Sequence, residues 1–180
     1  MRVALVAMLI LLLPAALFAG PMLGVYFTYN PGQMTYNPEL FELFYGYVFA
    51  TNYTCFLSAI EFMVDAPSGI TVNDFESEWP DLVLGSPLSG VSMSFPPGYP
   101  PYDGYHWIMT LHLEAYKTCC HNGGTMQDAP LYILPNPESG YLRGSCPDGT
   151  LFEFAGLTSI FCPFMIGTEE ESWGAIKSLF

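Results

Sequence analysis

Five cysteines, three histidines and seventeen acidic residues are the side chains with which this sequence could do chemistry. A nucleophilic hydrolase needs Ser or Cys held beside a base. No G-x-S-x-G elbow occurs, and Ser145-Cys146-Pro147 matches no protease signature. The histidines do not converge. His106 and His112 share one parity of a run that reads as a strand, where six residues put them about 20 Å apart. His112 and Glu114 are neighbours on that face and could hold a metal ion between them, although polar side chains on one parity are what any half-wet strand shows. Asp74, Glu76, Glu78 and Asp81 form the densest acidic stretch, and their spacing could align oxygen ligands for Ca2+. The D-x-[DN]-x-[DN]-G loop does not occur, which favours a solvated connection. Glu61 and Glu114 could serve as carboxylates for glycoside hydrolysis, but an acidic chain always offers such residues. No cofactor is implied.

Thiols and aromatic rings are the other candidates. Cys55, Cys119, Cys120, Cys146 and Cys162 leave one thiol over when two bridges form. Adjacent Cys119 and Cys120 cannot bond without strain, so each is expected to pair elsewhere. Cys55 with Cys119 or Cys120 is one expected bridge, and Cys146 with Cys162 the other. The rival use is zinc held by Cys119, Cys120, His121 and Cys146; neighbouring residues point in opposing directions, which does not suit the usual C-x2–4-C spacing. Twelve tyrosines and three tryptophans invite sugar stacking, with Tyr99, Tyr102 and Tyr105 beside prolines as the platform. The same rings could equally fill a sandwich core. Asn52-Tyr53-Thr54 is a glycosylation sequon, of consequence only in a secretory pathway that attaches glycans.

The element that must position much of this is Tyr105–Tyr116, YHWIMTLHLEAY. Trp107, Met109, Leu111, Leu113 and Ala115 alternate with His106, Thr110, His112, Glu114 and Tyr116, the pattern of a strand buried on its first set and wet on its second. Further strands are expected at 23–29, 42–54, 58–64, 70–73, 91–95, 131–134, 151–154 and 158–161, each bounded by Gly, Pro, Asn or Asp. Cys55-Phe56-Leu57 reads as a hairpin connection, and 96–101 as a stiff proline loop. Short strands with frequent turns and almost no helical period predict an all-β antiparallel sandwich of about eight or nine strands. Its expected core includes Trp107, Met109, Leu111, Leu113, Tyr47, Phe49, Ile60 and Phe62.

Both ends have their own character. Residues 1–19 combine Arg2 with an apolar run too short for the ~20 residues of a spanning helix, followed by Ala19 and Gly20, as in a secretory signal peptide. Residues 20–167 form one expected domain. In residues 168–180 three glutamates precede Trp173, Ile176, Leu179 and Phe180, which a helix would gather on one side as an amphipathic tail. That tail is either a sorting signal or a helix docked on the sandwich. The chain carries four Lys and Arg against seventeen Asp and Glu, a formal net charge of −13. Such a surface repels nucleic acid and anionic lipid. No later segment is apolar enough to span a membrane, and export to an oxidising compartment suits the cysteines.

Several short motifs carry a resemblance. Gly24-Val25-Tyr26-Phe27, then Tyr47-Val48-Phe49-Ala50-Thr51-Asn52, then Ala59-Ile60-Glu61-Phe62 resemble the opening of a group of uncharacterised bacterial secreted proteins. The tail, Trp173-Gly174-Ala175-Ile176-Lys177-Ser178-Leu179-Phe180, is similar to their W-G-x-[IV]-K-x-L-[FY] ends. The same alternation, an extended strand, a short turn and an E-F strand, is similar to the opening of cohesin-like, immunoglobulin-type sandwiches. The resemblance implies a secreted sandwich and no particular activity, and it implies no dockerin partner. Five cysteines depart from the group, so no pairing carries over. Residues and resemblance together point to a secreted or cell-surface, non-enzymatic binding or structural module, whose partner is a protein or polysaccharide at the cell surface. A carbohydrate-binding module is the alternative and a secreted hydrolase the third reading.

Overall fold

The computed structural model describes residues 20–97, 104–120 and 124–163. Within them are thirteen strands: β1 (Met22–Tyr26), β2 (Thr35–Tyr36), β3 (Leu43–Thr51), β4 (Ala59–Asp65), β5 (Ile70–Glu76), β6 (Val83–Ser86), β7 (Gly90–Ser94), β8 (Tyr105–Ala115), β9 (Ala129–Leu134), β10 (Arg143–Ser145), β11 (Leu151–Glu153), β12 (Ala155–Gly156) and β13 (Thr158–Phe161). The expected eight or nine strands fall short of this number. Four were not expected, β2, β6, β10 and β12; they are two to four residues long, too short for a side-chain period to mark them. Helical structure among the described residues is one 3-10 turn, Pro80–Leu82, and no helix there is long and apolar enough to cross a membrane. The expected helix over 168–180, with Trp173, Ile176, Leu179 and Phe180, lies outside the described residues, as do the expected signal peptide over 1–19, Tyr99, Tyr102 and His121.

Two sheets face each other. The first has strand order β12-β1-β3-β8-β5. The second runs β11-β10-β4-β9-β13-β2, with β7 also on β4 and β6 beyond it. Pairing is antiparallel except for β1 with β12 and β13 with β2. The chain does not turn back on itself at Cys55–Leu57, as a hairpin would. Instead β3 belongs to the first sheet and β4 to the second, so this segment crosses between layers and buries Leu57 on the way.

The core lies between the sheets. Val25, Val48, Met109, Leu111 and Leu113 come from one side; Ile60, Phe62, Val91, Leu131 and Phe161 come from the other. Each such side chain contributes roughly 1.5–3 kcal/mol when fully buried. Gly46 sits where β3 is squeezed hardest, because a Cβ there would lie 2.9 Å from Val25 Cγ1 and 3.0 Å from Leu113 Cδ1.

A β-bulge changes which residues of β8 face inward. Val48 pairs with Met109, but its neighbour Phe49 pairs with Trp107, leaving Ile108 as the extra residue. An extra residue reverses the alternation. C-terminal to it, Met109, Leu111, Leu113 and Ala115 point into the core as expected. N-terminal to it the parity is opposite. His106, paired with Ala50, is buried, whereas Trp107 is half-buried on the outer side and its Nε1 donates to Thr110 Oγ1 at 3.2 Å. Trp107 is therefore not a core residue. Tyr47 and Phe49 are also on the outer side, since they alternate with core-facing Val48 and Ala50.

Two disulfides form, but between other partners than expected: Cys55 with Cys146 and Cys119 with Cys162. Crossing to the second sheet sets Ser58 against Ser145, where Ser58 N donates to the Ser145 carbonyl at 2.8 Å, so Cys55 meets Cys146. Cys162 follows β13, and Asp128 N donates to its carbonyl, which brings it to the loop that follows β8. Cys119 is buried there, and Cys120 remains a free, exposed thiol. Paired in this way, Cys119 and Cys146 cannot supply the zinc site considered above.

Candidate binding face

The outer side of the five-stranded sheet gathers aromatic residues that no core covers. Register places Tyr26 beside Tyr47, Tyr47 beside Thr110, Phe49 beside Trp107, and Tyr45 beside His112. Tyr29 reaches over from the loop after β1, with its ring 5.4 Å from Tyr47 and 6.1 Å from Phe49. Tyr26 holds Phe49 and Tyr105 in edge-to-face contacts at 5.8 Å and 6.3 Å. These contacts differ in exposure, which decides their role. Tyr26 and Phe49 are buried beneath their neighbours, whereas Tyr29, Leu43 and Tyr45 are 65%, 73% and 53% exposed. The buried pair is a floor that fixes the exposed rings. Burial, followed by the nearby Tyr105, pushes the Tyr26 phenol up from its ordinary pKa, so it stays neutral.

Acidic groups occupy the β5 side of the same face. Asp74 lies beside His112 and Glu76 beside Thr110, across a bulge at Asn73. His112 Nε2 is 3.7 Å from Glu76 Oε1, and its ring meets Tyr45 edge-on at 5.2 Å. Glu114 accepts a hydrogen bond from Asn73 Nδ2 at 2.9 Å. The four carboxylates offered as calcium ligands do not act together. Asp74 and Glu76 are on β5, while Glu78 and Asp81 are exposed around the 3-10 turn. Among the described residues no group of three or more His, Cys, Asp or Glu could hold a metal ion, a set that includes His112 and Glu114.

At the β2 end of the face is a cavity of about 270 Å3, lined by Phe27, Tyr36, Glu42, Leu43, Phe44, Tyr45 and Tyr47. It exists because β1 stops early: its last pair is Tyr26 with Tyr47, although β3 begins at Leu43. Tyr36 stacks on Phe44 at 4.8 Å, and Phe27 packs on Tyr36 and Phe161. Tyr36 donates its hydroxyl to Glu42 Oε1 at 2.7 Å, and Glu42 Oε2 accepts from Glu39 N. Burial, then the Glu42 bond, push the Tyr36 phenol up to about 12.

Of the expected sugar platform only Tyr105 is described, and it does join this face, 47% exposed. The richer set, Tyr29, Tyr45 and Tyr47, was passed over. Its signal was present in Tyr45-Gly46-Tyr47, two rings of one parity flanking a residue too small to be anything but a close contact. Other polar sites are structural. Arg143 Nε donates to Glu61 Oε2 at 3.1 Å and stacks over Tyr141, and buried Asn136 ties Val91 and Ser92 to the turn at Glu138.

The architecture is an all-β sandwich of two sheets with an exposed aromatic face on the five-stranded one. The sequence matches no protein-family model and no curated protein. The structure is similar to a non-cellulosomal cohesin from the archaeon Archaeoglobus fulgidus, with TM-score 0.51 and 10% identity over 87% of this chain and 97% of that one. It is similar as well to the third ScaB cohesin of R. flavefaciens, solved with a group 1 dockerin (TM-score 0.51, 12% identity, 78% of this chain and 94% of that one). A cohesin from a type I cohesin–dockerin complex of Clostridium thermocellum gives TM-score 0.51 at 6% identity, over 79% of this chain and 99% of that one. At these identities the likeness is one of fold.

Proposed function

We propose that this protein is a secreted or cell-surface, non-enzymatic binding module that grips a partner protein with the outer face of its five-stranded sheet. The observation that carries the reading is the exposed row of Tyr29, Leu43, Tyr45 and Tyr105 over a rigid aromatic floor. Large exposed apolar patches on a folded domain mark interaction surfaces, and tyrosine supplies contact area at low entropic cost. Cohesins of the same architecture are seen in complexes with dockerins, which supports a protein as the partner. Two disulfides fit an oxidising location. The acidic groups along β5 favour a partner surface bearing Lys or Arg.

The test is capture from the proteins exported by the source cells, together with retention on insoluble polysaccharides, using wild type, Tyr29→Ser/Tyr105→Ser and, on the opposite sheet, Leu84→Ser/Tyr132→Ser. A specific protein lost only with the first pair is the expected result. Retention on a polysaccharide, released by its soluble sugar and lost with the same pair, would turn the reading to a carbohydrate-binding module. A partner unaffected by Tyr29→Ser/Tyr105→Ser would place the interface elsewhere.

A further inference from the structure

We infer that the gap beside the start of β3 is a docking site for an extended, basic segment of a partner protein, which adds to the five-stranded sheet in line with β1. The inference concerns main-chain pairing and stands whether or not the exposed tyrosine row carries a partner.

The gap is a place where the sheet lacks a strand. β1 ends with Tyr26 opposite Tyr47, while β3 and β8 stay paired back to Leu43 with Glu114. Past Tyr26 the chain turns away from β3, and Phe27 N donates to the Gln33 carbonyl instead. Residues 43–46 of β3 therefore have no neighbouring strand on this side, over a length of about 13 Å. Alternation along the strand decides which groups the gap exposes. Ala115 N donates to the Glu42 carbonyl, so Glu42, Phe44 and Gly46 turn their main-chain groups to β8. Leu43 and Tyr45 turn theirs into the gap, where no main-chain group of a described residue bonds them. An antiparallel strand continuing β1 satisfies the N–H and C=O of each with one residue opposite.

The side chains leave this edge unguarded. Folded sheets protect free edges with charges and bulges. β5, an outer edge of the same sheet, does so with Asp74, Glu76 and a bulge at Asn73. The gap is flanked instead by Leu43 and Tyr45, both exposed on the outer face. Apolar residues of an incoming strand gain cross-strand contacts beside them. The residue between points to the side closed by Tyr36 stacked on Phe44, where a small side chain fits.

Charge selects the partner. Glu42 lies at the end of the gap away from Tyr26, its carboxylate held by the Tyr36 hydroxyl and Glu39 N. No Lys, Arg or His among the described residues lines the cavity there. In a chain of net charge −13, a segment ending in Lys or Arg is attracted and an acidic one repelled.

The test follows backbone amides of the disulfide-intact protein by NMR, with the peptide Ac-Lys-Val-Ala-Val-Lys-NH2 as probe. In the free protein the Leu43 and Tyr45 amides should exchange rapidly, unlike those of Phe44 and Gly46. Peptide at millimolar concentration should shift and protect them saturably. Methylating both valine nitrogens, or replacing both lysines by glutamate, should weaken binding by about tenfold or more. Leu43→Pro removes a donor from the gap and leaves the β8 ladder intact, since proline is tolerated at a strand's first residue. It should melt near wild type and lose the peptide. If it melts much lower, Leu43→Lys/Tyr45→Lys supplies the missing guard and should lose the peptide while staying folded. Tyr29→Ser/Tyr105→Ser should leave peptide binding intact even where it abolishes partner capture. Slow exchange of the Leu43 and Tyr45 amides in the free protein would mean that this chain or a second copy already fills the gap, and would overturn the inference. So would the absence of a saturable shift, equal binding of the methylated or acidic peptide, or full binding by the folded gap variants.

Discussion

His106 makes folding stability depend on pH in a window that can be isolated. It is buried beside Ala50, with its ring 6.3 Å from Tyr53, and burial lowers its pKa from 6.5 to about 4. The folded chain therefore takes up its proton only near pH 4, whereas the unfolded chain takes it up near 6.5. Between those values the unfolded state binds more protons, so stability must rise with pH across the window and is fully present above 6.5. A shift of this size corresponds to about 3 kcal/mol lost on going from pH 7 to pH 4, at roughly 1.4 kcal/mol per pKa unit. That is a large part of a domain stability of about 5–15 kcal/mol. Carboxylates titrate in the same range, so the measurement is a difference of differences. Urea denaturation of wild type and His106→Leu is compared at pH 7.0, 6.0, 5.0 and 4.0, with m held common. Wild type should lose about 3 kcal/mol more than the variant over this range. Parallel pH profiles would show that the imidazole is solvated or charged when folded, and the assignment of the inner face before the bulge would be wrong.

Other expectations follow from the same packing. Leu111→Asp should unfold the domain at neutral pH, since an unpaired buried carboxylate costs several kcal/mol, while His112→Asp should shift the melting temperature little; equal effects would mean that both faces of β8 are buried. Gly46→Leu should cost several kcal/mol in urea titrations by forcing Val25 and Leu113 apart, within the range of about 1–3 kcal/mol or more for overpacked cores. Peptide mapping without reduction should recover Cys55–Cys146 and Cys119–Cys162 and a single alkylated thiol at Cys120. The double variant Cys55→Ala/Cys146→Ala should lose roughly 4 kcal/mol, because that bridge spans 91 residues and restricts the unfolded chain strongly.

What the sequence revealed and what it hid divide along physical lines. Strand β8 was legible over Tyr105–Ala115 because a long half-buried strand must alternate, and β3, β4 and β13 were legible for the same reason with turn residues at their ends. The bulge at Ile108 was not, because His106 and Trp107 satisfy either parity until the partner strand is known. Disulfide partners depend on which sheet each cysteine flanks. Reading Cys55–Leu57 as a hairpin put β3 and β4 side by side and so misplaced Cys55. The binding face was legible in part. Tyr105 was singled out, but Tyr47 was assigned to the core and Tyr29 and Tyr45 were not singled out, since an exposed aromatic row and a buried one have the same composition. Only the narrow approach at Gly46 separates them.

The pairing of Cys55 with Cys146 has a consequence for how the chain must be made. Synthesis delivers residues from the N-terminus, so Cys55 is presented first, and Cys119 and Cys120 arrive well before Cys146 exists to receive it. An oxidant acting on the emerging chain joins the thiols at hand. A bond formed then between Cys55 and Cys119 would tie the end of β3 to the end of β8 that lies farthest from it in the finished sheet. The first strand waits even longer, since β12, its parallel neighbour on one edge, is among the last segments to appear. Escape needs thiol–disulfide exchange: Cys120, free and exposed in the finished domain, would attack the Cys55 sulfur, forming Cys55–Cys120 and releasing the Cys119 thiol, and Cys146 would later displace Cys120 from Cys55. Replacing Cys120 by Ser should therefore leave the finished domain as stable as before while lowering its yield under rapid oxidation, with recovery when a disulfide isomerase or a glutathione buffer is supplied.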